Sequence, residues 1–172
     1  WNNLGAALRE TGRVEEAIDA HTRARNTYQQ LGDIHSQAQA WNNLGNTLQQ
    51  VRRFDEAIEI LSRARDLHHH VGDAHGEAQA WNNLGAALRE TGRVEEAIDA
   101  HTRARNTYQQ LGDAHGEAQA WNNLGAALAK AGRGHEAHEA FGRAVQGFGD
   151  THDAHSLAIA QNNRSKLQQR RL

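Results

Sequence analysis

Two kinds of helical hydrophobic pattern alternate along the chain. The first segment places Trp1, Leu4 and Leu8 at helical spacing, which predicts an apolar stripe along a short helix. Gly12 interrupts this pattern, and a second amphipathic segment covers 14–31. The apolar face of the second segment consists of Val14, Ala17, Ile18, His21, Ala24, Arg25 and Tyr28. Its opposite face begins with acidic residues, which the positive end of a helix dipole favours.

The ends of these segments carry helix-termination signals. Gly32 follows the second segment as a C-terminal stop, and Asp33 is a suitable N-cap for the next helix. That helix is predicted to run from Ile34 through Trp41 to about Gln50. Each unit is therefore a pair of helices joined by a turn, and neither helix can bury its stripe alone. We predict nine helices in one curved layer, counting a truncated first helix and a C-terminal cap.

The pentapeptide Trp-Asn-Asn-Leu-Gly recurs at a fixed interval of forty residues. Its copies are Trp1–Gly5, Trp41–Gly45, Trp81–Gly85 and Trp121–Gly125. A fixed period of this length is the signature of a solenoid. We therefore predict an all-α solenoid that forms a single domain. Its repeats are 1–40, 41–80, 81–120 and 121–160, and 161–172 completes a C-terminal capping helix.

The repeats differ in how closely they match one another. Repeats one and three agree at 37 of 40 positions, which indicates either a recent duplication or an engineered array. Repeat two has Arg52 in a turn where the other repeats have Gly. The second helix of repeat four contains Gly134, Gly142, Gly147 and Gly149. Each of these is expected to weaken the helix by up to about 1 kcal/mol.

The two ends of the array are predicted to differ. Gln161, Arg164 and Ser165 replace the Trp, Leu and Gly of the pentapeptide, as suits a capping helix whose outer face meets water. We expect this helix to cover Ala154–Arg171. The chain begins inside a repeat and without Met, so we interpret it as a fragment or a processed form. Trp1 is expected to be frayed or covered by a neighbour.

These residues resemble the tetratricopeptide repeat. Repeat three carries its pattern as Trp81, Leu84, Gly85, Gly92, Ala97 and Ala104, and repeat two as Trp41, Leu44, Gly45, Ala57 and Ala64. The usual Pro after the second helix is absent, and Gln29 and Gln109 stand there. The longer repeat is similar to those of LGN/Pins-type cell-polarity adaptors and actinobacterial signalling proteins. The resemblance implies a right-handed superhelix with the first helices along a concave groove, and a role as a protein-interaction scaffold.

Each first helix also carries a polar stripe rich in amides. Buried amides without partners are costly, so we expect this stripe to line the groove rather than the core. An Asn side chain offers donors and an acceptor, and can pair with both the N–H and the C=O of a bound extended peptide. The predicted peptide-binding residues are Asn3, Asn42, Asn43, Asn46, Asn82, Asn83, Arg89, Asn122, Asn123 and Lys130.

Two other interpretations of this stripe remain open. The paired asparagines could instead satisfy hydrogen bonds between helices. The resemblance also suggests a carboxylate clamp for a C-terminal acidic peptide, but such a clamp needs Lys or Arg on this face in several repeats. The matching places here hold mainly Asn and Gln, which disfavours a clamp.

The composition gives little support for catalysis, for metal binding or for a membrane span. There is no Cys, the formal net charge is −2, and no apolar run is long enough to span a bilayer. Among the twelve His, the run His68–His70 points in different directions and His135 and His138 are too few for a zinc site. His21 and His101 lie on the packing stripe and are expected to be core residues with a hydrogen-bond partner. We expect no catalytic residue, cofactor or metal.

The leading hypothesis is a cytoplasmic adaptor that binds a protein or peptide in the Asn-lined groove. The alternative is a self-assembling or designed structural array that associates head to tail. An enzyme is the least favoured hypothesis, and no membrane association is expected. The basic cluster Arg164, Lys166, Arg170 and Arg171 is interpreted as a solvated part of the cap rather than a nucleic-acid site.

Overall fold

The computed structural model of the protein describes residues 1–169, and within them it contains nine α-helices and no strand. The helices are α1 Asn2–Glu10, α2 Val14–Leu31, α3 Ile34–Gln50, α4 Phe54–His70, α5 Ala74–Glu90, α6 Val94–Leu111, α7 Ala114–Lys130, α8 Gly134–Asp150 and α9 Ala154–Gln169. The expected bounds of the second and third helices are confirmed. The predicted cap begins at Ala154 as expected, whereas Arg170 and Arg171 lie outside the described residues.

The turns between repeats form as the sequence predicts. Gly32 ends α2 in the left-handed conformation with φ of 70°, which glycine adopts without steric cost. Asp33 then caps α3, because its Oδ1 accepts a 3.0 Å hydrogen bond from the backbone N–H of Ser36. Asp153 caps α9 in the same way through Ser156. Arg52 and His152 adopt φ of 60° and 58°, although neither is glycine.

The helices stack in one layer with the odd-numbered helices on the inside. Every helix packs against the next one in sequence. The odd-numbered helices α1, α3, α5, α7 and α9 also contact one another from repeat to repeat. Among residues 1–169, no such contact joins the even-numbered helices. The odd-numbered helices therefore approach more closely and form the concave side of a solenoid.

The glycine of the pentapeptide is a packing residue. A Cβ atom on Gly45 would lie 2.5 Å from Cγ of Leu61, and one on Gly85 would lie 2.7 Å from Cε1 of His101. These residues therefore let the second helix of each repeat approach the first. Gly147 in α8 has a similar role, because its Cβ would lie 2.8 Å from that of Ala118.

Arginines from one repeat stack on the tryptophan of the next. The guanidinium carbon of Arg25 lies 4.5 Å from the ring centroid of Trp41, and Arg65 lies 4.6 Å from that of Trp81. Arg105 makes the same contact with Trp121 at 4.5 Å. This stacking explains how Arg25 can belong to an otherwise apolar face. Residues 145 and 161, which are Val and Gln, replace both members of the pair at the cap.

The ends of the stack differ as expected. Trp1 is 58% exposed and Leu4 is 47% exposed, so α1 leaves apolar surface uncovered. At the other end, Gln161 and Ser165 of α9 face solvent. Despite its glycines, α8 is continuous over Gly134–Asp150.

Candidate binding groove

The paired asparagines form a hydrogen-bonded ladder along the concave side. In each step, Nδ2 of the second Asn of a pair donates to Oδ1 of the first Asn in the preceding repeat. All four bonds measure 3.1 Å, and they join Asn43 to Asn2, Asn83 to Asn42, Asn123 to Asn82 and Asn163 to Asn122. We call these eight residues the Asn ladder. It continues into α9, so the cap completes the pattern.

In repeats two and three the first asparagine of the pair lies deeper than the sequence suggested, whereas Asn2 and Asn122 are half-buried. Asn42 is 3% exposed and Asn82 is 8% exposed, so the expectation that the whole stripe stays out of the core is wrong at these positions. Their burial is tolerated because each has polar partners. Oδ1 of Asn82 lies 3.0 Å from Nδ1 of His101, and Nδ2 of Asn42 donates to Oε1 of Gln79 over 2.8 Å.

The second asparagine of a pair stays accessible. Asn43, Asn83 and Asn123 are half-buried, and each uses one amide N–H in the ladder. The ladder bond uses neither the second N–H nor the side-chain oxygen of these residues, and both groups can pair with a peptide backbone. The ladder bond also fixes the orientation of the amide before any ligand arrives.

The other predicted binding residues occupy different parts of the same surface. Asn3 on α1 is exposed, and Asn46 on α3 is half-buried. Lys130 is exposed, and its Nζ donates to the backbone oxygen of Arg89 over 2.5 Å. Gln49 reaches the backbone oxygen of Asn83 in the same manner at 3.2 Å. Long side chains therefore bridge neighbouring helices along the groove.

A cleft of about 590 Å³ lies at the C-terminal end of the groove, between α5, α7 and α9. It brings together four of the predicted residues, Arg89, Asn122, Asn123 and Lys130. The cleft also contains Phe141, Lys166 and Leu167, which the sequence analysis did not select. Lys166 could have been found, because one period earlier its place is taken by Ala126 on the same groove face.

The buried histidines are neutral structural groups. Burial, together with nearby positive charge, lowers the pKa of His21 to about 4 and that of His101 to about 3. Each bonds to the first Asn of its own repeat, as Nδ1 of His21 lies 3.0 Å from Oδ1 of Asn2. The expectation that these are core histidines with a hydrogen-bond partner is confirmed.

His135 and His138 have different partners. His135 pairs with Glu139 at 3.6 Å, whereas Arg164 of α9 donates to Nε2 of His138.

Among residues 1–169, no helix combines the length and the apolar character needed to cross a bilayer.

Sequence comparison supports the family that the repeats resemble. A model of the tetratricopeptide repeat matches residues 1–68, 36–110 and 76–150, which overlap to span most of the chain. The chain belongs to the tetratricopeptide repeat family. Repeats of this family typically mediate protein–protein interaction, and its members generally serve as non-catalytic scaffolds. No match to a curated protein was found.

Solved structures share the fold of this tetratricopeptide repeat protein. Nearly identical TPR-like repeats from Podosopora anserina match with a TM-score of 0.79 and 18% identity, over 98% of this chain and 83% of that one. Aspartyl phosphate phosphatase F from Bacillus subtilis matches with a TM-score of 0.88 and 14% identity, over 96% of this chain and 44% of that one.

A Rap protein complexed with Competence and Sporulation Factor is a further match. Its TM-score is 0.84 and its identity is 18%, over 96% of this chain and 46% of that one. The chain thus spans less than half the length of the phosphatase and of the Rap protein. At these identities the likeness concerns the fold alone.

Proposed function

We propose that this tetratricopeptide repeat protein is an interaction scaffold that binds an extended segment of a partner protein in its concave groove. The observation that carries the proposal is the Asn ladder. It presents half-buried amides at one position per repeat, on Asn43, Asn83 and Asn123. Amides of this kind can bond to a peptide backbone whatever its side chains are.

The ladder also favours binding by holding these amides in place. A side chain that is already oriented loses less conformational freedom when a ligand binds. The bond from Asn83 to Asn42 and the bond from Asn123 to Asn82 provide this orientation. Part of the cost of ordering the binding surface is therefore met when the chain folds.

Selectivity would come from the groove positions that vary between repeats. One such position is occupied by Asn46, Ala86, Ala126 and Lys166 in successive odd-numbered helices. The cleft at the C-terminal end adds Arg89 and Lys130, and Leu167 provides an apolar side chain beside the nearly buried Phe141. The partner segment is thus expected to place both polar and apolar side chains in this cleft. A Rap protein of the same fold has been solved with a bound factor, which supports a binding role.

A peptide-display selection tests the proposal, followed by affinity measurements on enriched peptides. The groove variant Ala86→Lys/Ala126→Lys adds long side chains beside the ladder without removing a ladder bond. The control variant Asn106→Lys/Gln146→Lys adds the same charge to exposed residues of α6 and α8 in the same repeats. We expect at least a tenfold loss of affinity in the groove variant alone, since the added side chains obstruct the peptide.

Folding of each variant is checked by circular dichroism. Peptides that bind both variants as tightly as the parent would show that the groove is not the binding site. The triple variant Asn43→Ala/Asn83→Ala/Asn123→Ala then measures how much of the affinity comes from the amides themselves.

Head-to-tail self-association is a second candidate, favoured by the apolar surface of α1. Trp1 and Leu4 are the exposed large hydrophobic residues there. In the cap the same positions hold Gln161 and Arg164, so the variant Trp1→Gln/Leu4→Arg gives α1 the polarity of the cap. If the parent self-associates through α1, sedimentation velocity will show oligomers that this variant lacks.

A further inference from the structure

Three potential metal ligands meet where repeats one and two pack together. His35 lies in the first turn of α3, His68 in the last turn of α4, and Asp73 is the N-cap of α5. One ligand atom from each lies within 4.8 Å of those of the other two. Oδ2 of Asp73 is 2.9 Å from Nδ1 of His68 and 3.4 Å from Nδ1 of His35. We call these three residues the interface cluster.

We propose that the interface cluster binds a divalent transition-metal ion, with Zn²⁺ as the best-matched probe. Imidazole nitrogen and carboxylate oxygen are both zinc ligands, with bond lengths of about 2.1 Å. Tetrahedral ligands at this distance are about 3.4 Å apart. The two separations from Asp73, 2.9 and 3.4 Å, are close to that value, and all three ligand atoms lie within 4.8 Å of one another. Water would complete the coordination as a fourth ligand.

The cluster is organised before an ion arrives. The backbone N–H of Gly76 donates to Oδ1 of Asp73 over 2.9 Å, which holds the carboxylate and leaves Oδ2 directed at the histidines. His68 is 1% exposed, and its ring lies against Gly76, where a Cβ would come too close to the imidazole. The side chain of His35 is 53% exposed, so an ion can enter from its side.

The hydrogen bond between His68 and Asp73 lies where an ion would bind. Without an ion, Nδ1–H of His68 donates to Asp73. Coordination of an ion at Nδ1 uses the other neutral tautomer of His68, in which the proton is on Nε2, and Nε2 is buried without a hydrogen-bond partner among residues 1–169.

The corresponding interfaces in the rest of the chain lack the third ligand. His75 lies 3.1 Å from Asp113, but Tyr108 takes the place of His68 there. Burial raises the pKa of Tyr108 to about 12, so its phenol stays protonated and is a poor ligand. At the next interface, residue 148 is Phe. Tyr108 therefore shows that tyrosine at the position of His68 should preserve the fold and remove the third ligand.

The decisive experiment is a Zn²⁺ titration of the parent and of His68→Tyr by isothermal titration calorimetry. His68→Tyr copies Tyr108, which packs against Gly116 as His68 packs against Gly76. We expect the parent to bind one ion per chain and the variant to bind Zn²⁺ at least tenfold more weakly. Loss of a residue that merely hydrogen-bonds to a metal ligand already lowers affinity by about tenfold or more, and loss of the ligand itself should cost at least as much. Bound Co²⁺ should give visible absorption bands in the parent that the variant lacks.

Two further variants separate ligation from folding. His35→Gln changes a half-exposed residue and should leave the fold intact while weakening Zn²⁺ binding by at least tenfold. His70→Gln changes an exposed histidine outside the cluster and should bind Zn²⁺ like the parent. The proposal is overturned if the parent binds no Zn²⁺, or if His35→Gln and His68→Tyr both bind it with the parent's affinity and stoichiometry.

Discussion

His101 donates its Nδ1 hydrogen to Oδ1 of Asn82 across 3.0 Å inside the third repeat. The same oxygen accepts the ladder bond from Asn123 at 3.1 Å. His101 is fully buried, and its Nε2 has no hydrogen-bond partner among the described residues. A proton added to Nε2 would therefore be a buried charge without an acceptor, directly beneath the groove.

This arrangement predicts that stability falls as the pH is lowered below neutrality. The pKa of His101 drops from 6.5 to about 3 on folding, and that of His21 drops to about 4. Between pH 6.5 and these lower values, the unfolded chain binds more protons than the folded chain. The stability that the neutral histidines provide above pH 6.5 is therefore lost as the pH falls. Each histidine should contribute a slope of up to about 1.4 kcal/mol per pH unit. Urea unfolding between pH 7 and pH 5 measures this slope.

Repeat two supplies the control for this measurement. Leu61 occupies the place of the two histidines and is fully buried. The variant His21→Leu/His101→Leu should fold and show a clearly smaller slope between pH 7 and pH 5. An unchanged slope would mean that these histidines do not set the acid sensitivity.

The strained turn of repeat two predicts a stabilising substitution. Arg52 has φ of 60°, whereas Gly92 at the matching position has φ of 82°. A left-handed conformation costs a non-glycine residue about 1 kcal/mol, so Arg52→Gly should raise the unfolding free energy by about that amount. The reverse change Gly92→Arg should lower it similarly. Thermal melts of both variants test the prediction, and equal melting temperatures would refute it.

The glycines of α8 should respond in opposite directions to alanine. At Gly142 an added Cβ meets only the end of Arg164, at 3.9 Å, so Gly142→Ala should stabilise the helix by about 1 kcal/mol. At Gly147 the Cβ would lie 2.8 Å from Ala118, so Gly147→Ala should destabilise the protein. Chemical unfolding of the two variants compares them directly. Stabilisation by both would show that α8 can move away from α7 at little cost.

The arginine that bridges two repeats should matter more than the one within a repeat. Arg65 stacks on Trp81 from the preceding repeat at 4.6 Å, and its side chain is 25% exposed. Arg103 approaches the same ring at 5.2 Å but is 57% exposed. We expect Arg65→Met to cost about 1 kcal/mol and Arg103→Met clearly less, because desolvation strengthens a cation–π contact. Unfolding free energies of the two variants give the comparison.

Most of the fold could be predicted because its signals are local and periodic. Gly32 and Asp33 mark a helix end and a helix start by their own chemistry, and the structure confirms both. The recurring Trp and Gly positions predict the stacking. The role of Arg25 was not predictable, since a planar cation on an apolar stripe makes sense only once Trp41 of the next repeat lies beneath it.

The sequence predicted which residues line the groove but not how deeply each one is buried. Helical spacing places Asn42 and Asn43 on one polar stripe, yet it cannot show that Asn42 is buried and accepts a bond from the next repeat. That distinction depends on the distance between neighbouring helices. The interface cluster was missed for a similar reason, because His35 and His68 are far apart in the chain and meet only when the repeats stack.

The register of the Asn ladder has an evolutionary consequence. Every ladder bond joins residues 41 positions apart, so gain or loss of a whole repeat recreates the same bonds at the new junction. Unequal recombination between coding repeats as similar as one and three would thus lengthen or shorten the groove in whole steps and leave the register of the ladder intact. Recombination between repeats one and three would delete 80 residues, which include all of repeat two, so a single genetic event would shorten the groove and remove His68 and Asp73 of the interface cluster together.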